Sequence, residues 1–371
     1  MAFAINGKFT SQPMTGVQRV AYELTRAMQT HATPGEELDI FVPRNLAEPG
    51  ASLKRQRLVP WLSGTLWEQI ALPYAARGTT LVSLCNIHPI FKRRQVVMVH
   101  DMAVYDVPQG FSKKFRLWYQ FIFSMLPRMD PTILTVSEYS RQRICQHLKV
   151  DPARVQVVQP AADHLDRVVA EPAIIPRLQL TKDSYCVIVG SLDPRKNLER
   201  ALEAIAQLQH LSGIKFVVVG GKNSRVFNNE RVAKAAQSSQ VIWTGFVTDG
   251  ELKALYQNAG CLLFPSLYEG FGLPPLEAMY CGCPVVASSR TSIPEVCGDA
   301  ALYCDASSAT DIAEKVTQMM SDDALRRQYR AKGIERAREF RWDRSAQRLL
   351  EILYGRSKAR VTELAPGASV V

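Results

Sequence analysis

At 371 residues and 47% apolar side chains, the chain is too long for one ordinary core and has a globular composition. No apolar run reaches the ~20 residues of a bilayer crossing, and eight cysteines in this length make no disulfide framework. The net charge of +10 is uneven: residues 51–150 hold 14 Lys and Arg against 5 Asp and Glu, a surplus of +9 that draws nucleic acid, anionic lipid or a phosphorylated ligand.

The N-terminal stretch "MAFAINGKFTSQ" lacks the basic-then-apolar pattern of a signal peptide. With the cysteines read as buried, reduced thiols, this predicts a cytoplasmic chain. Cys281 and Cys283 form a C-x-C with no second pair at zinc spacing, so no metal site is expected. "KFTSQPMTGVQRVAYELTRAM" places Gly16 in a loop that opens an amphipathic helix; a ligand loop and a plain turn satisfy it equally. "VVMVHDMAVYD" ends a buried strand at His100, and the carboxyl ends of such strands face ligands.

In "SKKFRLWYQFIFSMLPRM" (112–129), Leu117, Trp118, Phe121, Ile122, Met125 and Leu126 fall at helical spacing behind Lys113, Lys114 and Arg116. That pattern fits a core-facing helix and a membrane-surface helix alike. In "TVSEYSRQRI", Ser137 is placed to cap the following helix.

Short β-branched apolar runs recur at 96–100, 132–137, 155–160, 185–190, 216–220, 261–266 and 284–288, with helical patterns such as "KNLERALEAIAQL" between them. Runs without alternation are strands buried on both faces, so the sheets are parallel and covered by helices. The fold expected is α/β, with two doubly wound Rossmann-like domains facing a cleft. The segment 161–184 has no convincing strand and reads as the inter-domain connection. The domains are placed at 1–165 and 166–340, followed by a C-terminal helix (341–356) returning to the first domain and a flexible tail (357–371).

Two stretches carry chemistry. In "VIVGSLDPRKNLERALEAI", Arg195 and Lys196 follow a buried strand and its Gly190, just before a helix N-terminus. Cations there oppose the helix dipole, so they are better explained by phosphate oxygens. In "SLYEGFGLPPLEAMYCGCPVVAS", Glu269 and Glu277 flank a glycine-rich helix start. The N–H groups of Gly270, Phe271, Gly272 and Leu273 suit phosphate. Eight helical residues rise ~12 Å, too far for two carboxylates to share one proton transfer. They suit the hydroxyl-rich ends of a molecule whose middle is anionic, and a nucleoside diphosphate sugar has that shape.

With "EGFGLPPLEAM", "GSLDPRKN" and "TGFVTDGELKALYQNA" together, the chain resembles the family-4 retaining glycosyltransferases of GT-B fold, most densely over residues 185–305. The resemblance implies that Glu269 contacts the donor sugar, Glu277 the ribose, and Arg195 and Lys196 the diphosphate. It places Gly245, Phe246 and Val247 near the base, and Gly16 and His100 near donor and acceptor. Catalytic roles fall to His100, Glu269, Lys196 and Arg195. Ser191 stands where many relatives carry arginine, with Arg195 as the substitute; "QPAADH" also departs from the family pattern and receives no role.

The expected activity is a retaining, metal-independent hexosyl transfer, first from GDP-mannose, to a glycan or polyprenyl-diphosphate-linked acceptor in cell-surface polysaccharide biosynthesis. No cofactor beyond the donor is expected. The expected partners include an anionic membrane, on the inner face of the plasma membrane, and no nucleic acid. A nucleotide-sugar epimerase shares the fold, but the spaced glutamates and "GSLDPRKN" favour transfer. A nucleic-acid binder would want a basic stripe with exposed stacking aromatics, whereas these aromatics lie at helical spacing.

Overall fold

A computed structural model describes residues 3–32, 38–44, 53–129, 131–190, 193–208, 211, 213–220 and 230–363. The chain divides into two compact units. Unit 1 takes residues 1–102, 113–160 and 341–371; unit 2 takes 103–112 and 161–340. Of the tail expected from residue 357, the part beyond 363 lies outside the described residues, as does Ser191.

Unit 1 is built on a seven-stranded sheet, β1 (Phe3–Asn6), β2 (Asp39–Pro43), β3 (Gln56–Val59), β4 (Thr80–Ser83), β5 (Gln95–Met98), β6 (Thr132–Thr135) and β7 (Val155–Val157). Its order is β3-β2-β1-β4-β5-β6-β7, with every pairing parallel. The helix Gly16–His31 buries Val20, Ala21, Leu24, Ala27 and Met28, one apolar stripe at helical period. The helix Trp342–Glu363 packs against it, with Tyr354 edge-on to Phe3 at 5.5 Å and Trp342 buried. Ser137 caps the helix Glu138–Leu148 by accepting the Ser140 N–H.

The helix Lys113–Met129 keeps only part of its apolar stripe inside: Ile122, Phe123 and Leu126 are buried, whereas Phe115, Leu117 and Phe121 are exposed. Among the described residues no helix is long and apolar enough to cross a membrane.

Unit 2 has six parallel strands, β8 (Tyr185–Val189), β9 (Lys215–Val219), β10 (Val241–Gly245), β11 (Cys261–Phe264), β12 (Val285–Ser288) and β13 (Ala301–Cys304), in the order β10-β9-β8-β11-β12-β13. Both sheets are doubly wound, and in each the order reverses beside the first strand. That leaves a crevice at the carboxyl ends of β8 and β11 where their loops part. Leu198, Ala201, Leu202 and Ile205 of the helix Leu198–Gln207 fill the core over this sheet.

The segment 161–184 contains no strand and is tied to unit 2. Lys253 Nζ donates to Leu165 O (2.7 Å) and Val168 O (2.9 Å), and the Glu171 N–H donates to Gly250 O. A Cβ on Gly250 would meet Glu171 Oε1 at 2.4 Å and Val169 O at 2.6 Å, so glycine is required by close approach.

In unit 1, His88 is wholly buried and neither ring nitrogen has a hydrogen-bond partner. Burial lowers its pKa from 6.5 to about 4. The unfolded chain therefore binds the extra proton first, and this contribution to stability, complete above pH 6.5, is lost as pH falls toward 4. That depression corresponds to about 3 kcal/mol. Urea unfolding of wild type and His88→Leu across pH 4–7 should show a clearly shallower acid slope in the variant. Parallel slopes would refute this origin of acid lability.

Candidate active site

The loop after β8 carries the first half of the site. Pro194–Lys196 form a single 3-10 turn, capped by Asp193, whose side chain accepts the Arg195 N–H at 2.9 Å. Asn197 then takes a left-handed conformation (φ 57°), and its Nδ2 donates to Pro265 O (3.0 Å) and Ala306 O (2.7 Å). These bonds pin the turn to the ends of β11 and β13. The Leu267 N–H completes the lacing by donating to Arg195 O at 2.8 Å.

The two cations are held differently. Lys196 Nζ lies 2.8 Å from Glu269 Oε1 and 5.3 Å from the Phe264 ring centroid. Arg195 is folded back on Asp193, with Nη2 to Oδ2 at 2.6 Å, and its guanidinium lies 4.8 Å from the Phe111 ring centroid. Burial pushes the Asp193 carboxyl up, but the hydrogen bonds and charge of Arg195 outweigh it and leave the group below the ordinary carboxylate range. Gly190 closes the crevice floor: a Cβ there would come within 3.2 Å of the Lys196 side chain.

The second half is the loop after β11. Ser292, buried, donates to both Glu269 O (3.0 Å) and Phe271 O (2.8 Å). Thr291 Oγ1 accepts the Glu269 N–H at 3.1 Å, and Ser288 Oγ reaches Ser266 O at 2.6 Å. The loop is thus shaped by hydroxyls from the end of β12. Gly272 has φ 114°, open to glycine and strained for other residues, and starts the helix Leu273–Tyr280. Phe271 packs edge-on against Phe340 at 5.9 Å. Tyr268 donates to Asp106 Oδ2 at 2.9 Å, from the short segment 103–112 of the same unit.

Glu277 sits on that helix with Oε1 3.5 Å from His164 Nε2, and both side chains are largely buried. Tyr280 donates to Asp166 at 2.7 Å, fixing the segment against the helix. Gly245, at φ 69°, accepts the Gly220 N–H at 2.8 Å at the end of β10; Phe246 follows 95% exposed, and Val247 is half-buried.

The structure therefore brings Gly190, Lys196 and Glu269 into contact. Arg195, Gly270, Phe271, Gly272 and Leu273 lie in turns or at a helix start of the same unit, Glu277 within that helix, and Gly245–Val247 at the end of β10 and just after it. Gly16 and His100 belong to unit 1, where Gly16 is exposed in the first turn of its helix. His100 is buried, with Nε2 2.8 Å from Leu84 O. A carbonyl only accepts, so Nε2 carries the proton and Nδ1 is left as an acceptor. Burial lowers the His100 pKa and keeps the ring neutral.

Sequence reasoning missed Asp193, Asn197, Ser292 and His164. Asp193 and Asn197 stand inside "GSLDPRKN", where Asp before Pro and Asn before a helix are legible turn signals. Ser292 and His164 left no local signal.

Residues 171–336 match the family described as "Glycosyl transferases group 1". Over 260 residues, 67% of each chain, the protein is 32% identical to the O-antigen chain mannosyltransferase B of Escherichia coli. It is 31% identical over 248 residues to the serotype-specific mannosyltransferase WbdA of Escherichia coli, a match covering 64% of this chain and 30% of that one. Among solved structures, Anabaena HepE in complex with UDP and glucose superposes with a TM-score of 0.76 at 15% identity, covering 96% of this chain and 100% of HepE. The fold is GT-B, and the chain belongs to the group 1 glycosyltransferases.

Proposed function

We propose that this protein transfers mannose from GDP-mannose, with retention of configuration, to a glycan or polyprenyl-diphosphate-linked acceptor in cell-surface polysaccharide assembly. The Lys196–Glu269 ion pair at the crevice of the second sheet is the observation that carries this reading. An ammonium and a carboxylate 2.8 Å apart suit the phosphate and hydroxyl groups that meet at the anomeric carbon of a nucleotide sugar. The mannosyl choice is supported by the names of the relatives.

When the donor enters, Lys196 exchanges its carboxylate for a phosphate oxygen, and Glu269 takes sugar hydroxyls. The bond from the anomeric carbon to the β-phosphate oxygen breaks with its electron pair going to the diphosphate. The acceptor oxygen bonds to the same face of that carbon, and its proton passes to the departing diphosphate. Lys196, Arg195 and the main-chain N–H groups of 270–273 stabilise the growing charge, so the reaction needs neither a metal nor a further cofactor. Glu277 holds the ribose, residues 245–247 border the base, and Gly190 lets the diphosphate approach the turn. The acceptor is assigned to unit 1, which carries Gly16 and neutral His100. The enzyme works in the cytoplasm against the anionic inner face of the plasma membrane and does not engage nucleic acid.

Slow donor hydrolysis, which needs no acceptor, tests the donor. GDP-mannose should be cleaved in preference to UDP-glucose and other nucleotide sugars. Preferential cleavage of a different donor would overturn the mannosyl assignment while leaving glycosyl transfer intact.

A further inference from the structure

Residues 53–95 of unit 1 hold seven Lys and Arg, namely Lys54, Arg55, Arg57, Arg77, Lys92, Arg93 and Arg94, and a single acid, Glu68. Glu68 is buried against Lys8 Nζ (2.6 Å) and Asn6 Nδ2 (2.9 Å) and projects no negative charge outward. Arg55 and Arg57 share one carboxylate, Asp39, and both remain well exposed.

The same stretch of sequence carries an apolar face that is exposed among the described residues. The helical stretch runs through Gly64–Leu66, a π turn at Trp67–Ala71, and Leu72–Ala75. Its inner side, Trp67, Ala71 and Leu72, is buried in the core. Its outer side carries Leu66, Ile70 and Tyr74, at 57%, 51% and 61% exposure, and Leu62, two residues before the helix, is 42% exposed. The spacing is four residues throughout, and the π turn, wider than an α turn, helps keep that repeat in line. A helix apolar on both sides is normally enclosed; this one is enclosed on one side only.

The rim is organised as well. Trp61 meets Tyr74 edge-on at 5.6 Å, and the Arg77 guanidinium lies 5.0 Å from the Tyr74 ring centroid. Lys92 Nζ donates to Ala76 O (2.8 Å) and Thr79 O (2.7 Å), and Gln69 bonds both Ile90 N–H and His88 O. These bonds tie the stretch 88–92 to the helical segment and to Ala76 and Thr79, and Phe91, Arg93 and Arg94 are exposed.

We infer that this face, residues 58–77 with Phe91, is the surface by which the protein docks on an anionic lipid bilayer. The inference rests on the membrane reading above but assigns the contact to a different element from the helix Lys113–Met129. An apolar strip with Trp and Tyr at its edge and arginines around it matches the interface between acyl chains and anionic headgroups. A second copy of the chain fits worse: a two-fold contact would set like charge against like, since residues 53–95 hold seven Lys and Arg and a single acid, the buried Glu68.

Sedimentation with vesicles of phosphatidylglycerol mixed with phosphatidylcholine, and of phosphatidylcholine alone, tests the assignment. Wild type should bind the anionic vesicles at least about tenfold more tightly, and added salt should weaken binding. The double variant Leu66→Glu, Ile70→Glu should lose about tenfold or more in affinity. Both positions are exposed, so its thermal midpoint should stay near wild type. Binding should blue-shift tryptophan fluorescence in wild type and in Trp118→Phe, and not in Trp61→Phe.

If wild type binds and the double variant binds equally well, this face is not the contact. Release by neutralising Lys113, Lys114 and Arg116 alone would then move the contact to the other helix. If wild type ignores anionic vesicles altogether, the membrane reading itself fails. A monomer–dimer equilibrium abolished by the double variant, without vesicle binding, would make a second copy the occupant and overturn the proposal.

Discussion

Lys196→Ala should lower kcat about 10²–10³-fold while the donor KM changes only modestly. In the proposed reaction the ammonium acts on charge that appears as the sugar–phosphate bond breaks, so its loss should be felt more in the transition state than in the bound donor. In the free protein Lys196 is paired with Glu269 at 2.8 Å. In the variant no ion pair has to be broken when the donor enters, which offsets part of the lost phosphate contact and keeps the change in KM modest. Arg195→Ala should have a smaller effect than Lys196→Ala. Its guanidinium is committed to Asp193 and stacked on Phe111, and must leave both to reach a phosphate. Initial-rate kinetics on the two variants decide the order. A chelator should leave wild-type turnover unchanged. Activity abolished by chelation and restored by a divalent cation would refute metal-independent stabilisation of the leaving group.

The second large effect is a divergence between the two glutamates. Glu277→Ala should weaken both the donor and free GDP by roughly tenfold or more, the cost of a hydrogen bond to a charged group. Glu269→Ala should leave GDP affinity within about twofold while turnover collapses, because GDP carries no transferred sugar. The structure separates the two carboxylates in kind: Glu269 faces a lysine at the crevice, whereas Glu277 sits 3.5 Å from buried His164. Calorimetry with GDP alone, beside turnover with GDP-mannose, measures the difference. Equal losses of GDP binding in both variants would refute the division of labour.

Much of the α/β architecture was legible before any coordinates. Strands β5 to β9, β11 and β12 announce themselves as apolar runs because parallel strands are covered on both faces. Strands β1 to β4, β10 and β13 went unread. Edge strand β3 exposes Arg57 and Leu58, so no continuous apolar run marks it. The site was legible as residue types: glycine at the helix start, cations before a helix, carboxylates on either side of an anion-friendly turn.

Which of those residues touch was decided only by tertiary structure. Lys196 and Glu269 meet because β11 pairs with β8 across the reversal of strand order, although β9 and β10 lie between them in sequence. His164 reaches Glu277 because 161–168 is tied down on unit 2 by Lys253 and Tyr280. The same holds for the surface. The helical apolar pattern of 112–129 stands out in the sequence, while 58–76 carries no such reading. Periodicity reports which faces of a helix are apolar. Only the packing of Trp67, Ala71 and Leu72 against the sheet shows that Leu66, Ile70 and Tyr74 are left outside, because burial belongs to the neighbours a side chain acquires and not to the side chain itself.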